Sequence, residues 1–339
     1  MQLKTILFSS LLVITAKTNL LYSGLIHTDP YNIKKTSLAL APVFSGPRGF
    51  GVFTMFNSYI NAKLMLNYTG NFFPLVMADD KYYDAGASMS FTNNKKEKLF
   101  MYNNIGLDIH FSDKKVNKKT QVLLNSSTSG AGSYKKTVNT IIDVETYKRK
   151  VWAVYAGMMA QTGRERFYKE DVDKPTSYNL LNNSNGSSVN IKDKSNANYG
   201  QSVFANSAIY NLEFGLKNKA IFATCYKDKT YGKKHQDVHA DWYIIAVLPV
   251  SSSFDKDVYR NGNTSTKYTI IDNTKPKPGF KIGFNFRTSL RSNYYLGGDF
   301  GYLPSLVTGN VMHFSFRLGY NLCFGKVQYE VDPDAEASK

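Results

Sequence analysis

The sequence predicts an all-β fold: an antiparallel transmembrane β-barrel of about 14 strands, or about 12 without the two weakest, preceded by a signal peptide. Three observations carry this. First, residues 311–324 alternate strictly. Met312, Phe314, Phe316, Leu318, Tyr320, Leu322 and Phe324 are apolar, and His313, Ser315, Arg317, Gly319, Asn321 and Cys323 between them are polar or small. A helix, with its period of 3.6, cannot hold those apolar side chains on one face, whereas a strand does. Second, the two preceding stretches repeat the pattern: Phe280, Ile282, Phe284 and Phe286 alternate with Lys281, Gly283, Asn285 and Arg287, and Tyr294, Leu296, Gly298, Phe300 and Tyr302 follow suit. Third, no convincing amphipathic helix and no apolar run near 18 residues appears. A chain of this kind crosses a membrane only as a closed barrel, where every backbone polar group finds an internal partner.

Taken in order, the N-terminus reads as a secretory signal over 1–16. Lys4 supplies the positive region, residues 6–14 the short apolar core, and Ala16 the cleavage point. The apolar run is too short to span a bilayer, and no cysteine follows it for lipid attachment. Residues 17–33 read as a short leader and 34–325 as one barrel domain. Strand patterns fall at 34–44, 50–68 and 82–92, the last opposing Tyr83, Ala85, Ala87, Met89 and Phe91 to Asp84, Gly86, Ser88 and Ser90. A hairpin turn at 93–96 leads to a strand at 98–112. Weaker patterns at 120–126 and 136–147 precede a firm one at 149–162. Residues 163–199, rich in Asn and Ser, read as a long loop. Strands resume at 202–216, 219–226, 240–249 and 265–272, before the final three. With the C-terminus periplasmic, short turns at Arg291-Ser292, Asn218 and Lys148 share its side, and the 163–199 and 229–238 loops lie outside. Residues 326–339 are a polar, acidic tail, expected to be disordered.

The chain has 24 Tyr and 22 Phe but 2 Trp, and amphipathic rings suit the girdles of a membrane barrel. Its net charge of +16 gathers in runs such as Lys114, Lys115, Lys118 and Lys119. These read as solvated loop tips, or as an attraction to anionic headgroups and lipopolysaccharide phosphates. No nucleic-acid motif accompanies the charge, which argues against a nucleic-acid partner. Cys225 and Cys323 are expected as buried free thiols.

Candidate lumen-lining residues are the polar partners of the alternation: Asp84, Asp108, His110, Glu213, Lys281, Arg287, Asp299, His313 and Arg317. On the last three strands, Lys281, Arg287, Asp299 and Arg317 point inward as a basic, partly neutralised network. It either lines a pore of anionic preference or satisfies itself and fills a narrow barrel. His235 and His239, near Asp237 and Asp241, read as a solvated loop ahead of a metal site. Gly130-Ala131-Gly132-Ser133 lacks the strand–elbow–helix context of a hydrolase. No catalytic residue and no cofactor is assigned, and the chain is not read as an enzyme.

The signal segment, the Asn/Lys/Tyr-rich strands and the closing MHFSFRLGYNLCFG together resemble β-barrel outer-membrane proteins of Bacteroidetes-type bacteria. This is a likeness of class that covers most of the mature chain. It implies a Gram-negative outer membrane, contact with lipid and lipopolysaccharide, and a passive channel or structural envelope component. The alternative is a barrel subunit or surface-loop interaction protein of a secretion, motility or adhesion assembly, with envelope proteins as partners. A secreted β-sandwich with its apolar faces packed together is the further alternative. One departure stands: such barrels end on an aromatic residue, and here residues 326–339 run past Phe324.

Overall fold

A computed structural model describes residues 24–46, 48–73, 90–92, 99–130, 136–166, 179–190, 202–228, 230–260, 265–271, 275–306 and 308–328. The signal peptide, Asp84, most of the strand expected at 82–92 and the acidic residues of the tail lie outside them. The described residues form strands and no helix: β1 (Gly24–His27), β2 (Thr36–Ser45), β3 (Gly49–Tyr59), β4 (Leu64–Phe73), β5 (Ser90–Thr92), β6 (Phe100–Ser129), β7 (Lys136–Arg166), β8 (Asn179–Asn182), β9 (Ser188–Asn190), β10 (Ser202–Asp228), β11 (Gly232–Phe254), β12 (Asp257–Arg260), β13 (Lys267–Ile270), β14 (Gly279–Arg287), β15 (Asn293–Ser305) and β16 (Gly309–Phe324).

Ten of these close into an antiparallel barrel in the order β2-β3-β4-β6-β7-β10-β11-β14-β15-β16, with β16 returning to β2. β1 lies outside, paired with the far end of β10. The short strands β5, β8, β9, β12 and β13 form an appendage at the opposite end, joined to β10 by a brief parallel pairing with β5.

The barrel is therefore narrower than the 12 to 14 strands the sequence suggests, and the reason is local. Residues 120–126 and 136–147 are not separate staves. They prolong β6 and β7 as one continuous hairpin, paired from Ser112↔Trp152 to Ser129↔Lys136. Lys148 and Asn218 are likewise not turns: each sits inside a long strand, opposite Val116 and Trp242 respectively. The stretch 265–272 supplies only short β13, outside the barrel wall. At 120–147, Lys148 and Asn218 a polar or charged interruption looks like a turn in sequence, but the backbone keeps its partner across it; conversely, 50–68 is not one strand but the hairpin of β3 and β4, turning at 60–63.

The pairings also sort the connections by end. Thr36, Phe324 and the turns at 60–63 and 288–292 share one end, here the terminal end. The β6–β7 and β10–β11 hairpins project from that same end, so the 230–231 turn lies beside the termini rather than across the barrel from them. Ser45, Gly49, Phe73, Phe100, Arg166, Ser202, Phe254, Gly279, Ser305 and Gly309 mark the other end, here the loop end.

Alternation decides what each face meets. Ala39, Ala41 and Val43, Phe53 and Met55, Tyr102 and Asn104, and Arg317 and Asn321 are buried inside. Leu40, Phe44, Ile105, Leu107, Trp242, Ile282, Phe300, Phe314, Phe316 and Leu318 stand exposed on the outer wall. Among the described residues no second sheet or helix covers that apolar girdle.

Candidate functional site

The barrel interior is where the chemistry-bearing side chains converge, and it is built in two layers. Toward the loop end it is apolar. Val43, Phe73, Phe100, Met159, Val247 and Leu303 come from six different strands into one buried cluster. Lower in the barrel, beside Arg317, Phe53 stacks on Tyr295 with ring centroids 5.3 Å apart. Arg48 caps the apolar layer, its guanidinium 3.5 Å from the Phe100 ring centroid and 3.7 Å from Glu165.

Below it lies a network of ion pairs. Asp108, fully buried, holds Lys217 at 2.8 Å and Lys219 at 2.5 Å. Glu213 holds Lys281 at 2.6 Å and accepts hydrogen bonds from Asn104 (2.8 Å) and the Tyr155 hydroxyl (3.1 Å). Asp299 pairs with Arg317 and with His313 at 2.6 Å, and accepts from Ser315 at 3.0 Å and Tyr243 at 3.3 Å. Asp241 pairs with Arg287 at 2.8 Å and His239 at 3.0 Å. Ions taken out of water cost several kcal/mol each unless paired and hydrogen-bonded, so the wall supplies partners for every one of these carboxylates.

Each described candidate from the sequence, Asp108, His110, Glu213, Lys281, Arg287, Asp299, His313 and Arg317, faces this interior. His110 sits near its terminal mouth, its Nδ1 3.0 Å from the Ala62 carbonyl. Lys217, Lys219, His239 and Asp241 are equal members that sequence reasoning passed over. Placing a turn at Asn218 hid the two lysines, although Asn211, Glu213, Gly215, Lys217 and Lys219 keep a period of two straight through it. His239 and Asp241 sit on β11 inside the wall and bind Arg287, rather than in a solvated loop. Among the described residues no cluster of His, Cys, Asp and Glu is arranged to hold a metal ion.

Interior tyrosines need room, and glycines opposite provide it. A Cβ on Gly106 would fall 2.5 Å from the Tyr155 ring, and one on Gly157 would fall 2.5 Å from its hydroxyl. These two glycines face each other across β6 and β7. They form the slot that lets Tyr155 lie along the wall and reach Glu213.

A cavity of about 70 Å³ remains in the middle, walled by Asn57, Asn67, Asn71, Asn104, Asn285, Lys217, Lys281 and Arg317, with Tyr and Met side chains between them. That is room for a few small molecules the size of water.

No protein-family model matches the chain, and comparison with curated proteins gives no match.

Proposed function

We propose that this chain is a non-enzymatic outer-membrane β-barrel of a Gram-negative envelope, serving as a structural scaffold rather than a passive channel. The observation that carries the reading is the partition of the alternating side chains. Apolar and aromatic residues such as Trp242, Phe316 and Leu318 stand about half exposed on the outer wall (51–55 %), while the ion pairs are turned inward. Such a girdle is costly in water and favourable in hydrocarbon. The apolar layer at the loop end and the paired ions beneath it support a filled interior.

A partner-binding role for the scaffold is favoured by the β6–β7 hairpin. Beyond Ile109 the outer edge of β6 has no partner strand among the described residues, and Lys114, Lys115, Lys118 and Lys119 are exposed along it. Edge lysines deter uncontrolled pairing and at the same time favour an acidic extended segment as an added strand. The test is fractionation and electrophysiology of the full chain. Recovery with outer membranes, extraction only by detergent, heat-modifiable gel migration and silence in planar bilayers agree with the proposal. A detergent-free soluble protein overturns the membrane assignment, and steady single-channel steps overturn the filled scaffold.

A further inference from the structure

Among the described residues, the charges inside the barrel do not balance. Lys217 and Lys219 share one carboxylate, Asp108, while Lys281, Arg287 and Arg317 each have their own in Glu213, Asp241 and Asp299. In this network of described residues five cations thus face four carboxylates. Among the described residues the terminal and loop mouths do not compensate, because Asp113 is bound by Arg149, Asp237 by Arg291 and the Ser289 and Leu290 amides, and Glu165 by Arg48. A surplus positive charge in a low-dielectric interior attracts a counter-ion.

The donors are unbalanced in the same place. Asn57 Nδ2 and Arg317 Nε are buried without an acceptor, in residues only 4 % and 3 % exposed, and both residues wall the central cavity together with Lys217 and Lys281. The carboxylates on that wall, Asp241 and Asp299, are already engaged by Arg287 and by Arg317, His313 and Ser315.

From this excess of charge and donors we infer that the central cavity is a binding site for one small monovalent anion of the halide class. A single negative charge neutralises the surplus, whereas a dianion would overshoot it. A cavity of about 70 Å³ accepts a halide with a few waters and excludes a bulky organic anion. The inference goes beyond the scaffold reading and does not depend on which partner or membrane the barrel meets.

The experiment uses the full chain in detergent. Thermal unfolding is followed at constant ionic strength as bromide replaces gluconate, and bromide is located in crystals by its anomalous signal. The expected result is a transition that rises with bromide and saturates, as for any ligand of the folded state alone, with an anomalous peak in the cavity. Lys217→Met removes the surplus while leaving Asp108 paired with Lys219, so it is expected to fold in gluconate and to lose the bromide dependence. Asn57→Leu removes one donor and is expected to raise the half-saturating bromide concentration about tenfold. Equal transitions in bromide and gluconate, an empty cavity in the anomalous map, or an undiminished bromide effect in folded Lys217→Met would each overturn it. Failure here leaves the membrane and conductance tests of the scaffold reading untouched.

Discussion

Replacing Phe316 by arginine asks directly what solvent the outer wall meets. Phe316 lies at the middle of β16, which runs from Gly309 to Phe324, and it is 51 % exposed beside its paired neighbours Gly298 and Phe44. If that half-exposed face met water, the arginine would be one more charge on a wet surface, and such changes typically cost within about 0.5 kcal/mol. In hydrocarbon, arginine at the midplane of a barrel's lipid face costs roughly 2–4 kcal/mol. At about 1.4 kcal/mol per tenfold, that is roughly a 30- to 700-fold loss in the folding equilibrium. Phe316→Leu isolates the part due to lost ring packing. Met312→Arg, near the strand's loop end, serves as the depth control, expected at roughly 0–1 kcal/mol because a charge there reaches the interface.

The measurement is a urea titration of folding in phospholipid vesicles, read by the gel migration of unheated samples and by circular dichroism. The expected order of destabilisation is Phe316→Arg well above Met312→Arg, with Phe316→Leu small. A cost for Phe316→Arg no greater than that for Met312→Arg would refute the claim that β16 faces lipid.

The interior makes its own predictions. Asp108→Asn strands two buried ammonium groups and should destabilise the barrel by about 3–5 kcal/mol. Adding Lys219→Met should recover part of that loss, which paired urea titrations would detect. Gly157→Ala intrudes on the slot that holds Tyr155 and should cost about 1–3 kcal/mol by overpacking. Tyr155→Leu should relieve part of that cost in a double-mutant cycle, the rest remaining because the Ile105 carbonyl oxygen also lies 2.7 Å from the added Cβ, and additivity would mean that the ring is not an obstacle. Cys225 and Cys323 are both free and buried, so a maleimide should label neither in the folded barrel and both after denaturation. Rapid labelling without denaturant would contradict the packing around them.

Much of the barrel is legible in residues whose environment is set by period alone. The last three strands are readable because no charge interrupts their apolar face, so alternation by itself assigns Arg287, Asp299 and Arg317 to the inside. The strand count is not readable, because counting requires knowing where the chain turns. Lys148 and the 217–219 segment carry the charges and polarity of turns while remaining paired. The Asp108–Lys217–Lys219 cluster is hidden for a different reason. Its members come from strands far apart in sequence, and nothing local in β10 announces a carboxylate on β6. Nor does a glycine in a strand reveal by itself that it makes room for a tyrosine on the next one.

Strand length explains why these misreadings cluster where they do. β6, β7 and β10 are 30, 31 and 27 residues long, about 90–100 Å at 3.3 Å per residue. A tilted crossing of hydrocarbon needs only about 9–11 residues. In the membrane placement proposed above the excess lies outside the hydrocarbon, and for β6 it lies at the terminal end, since the pairing of β4 with β6 stops at Ile109. There the rule governing the side chains changes. Between Asp113 and Lys119 every residue of β6 is exposed, and the alternation returns only at Thr120, Val122 and Leu124, where one face of the hairpin packs on Tyr226 and Leu25. On the proposed membrane reading, a break in alternation followed by its return marks a strand passing from lipid into water and then onto a protein surface. Two strands joined by a turn would write much the same pattern, and only the cross-strand partners tell the two apart.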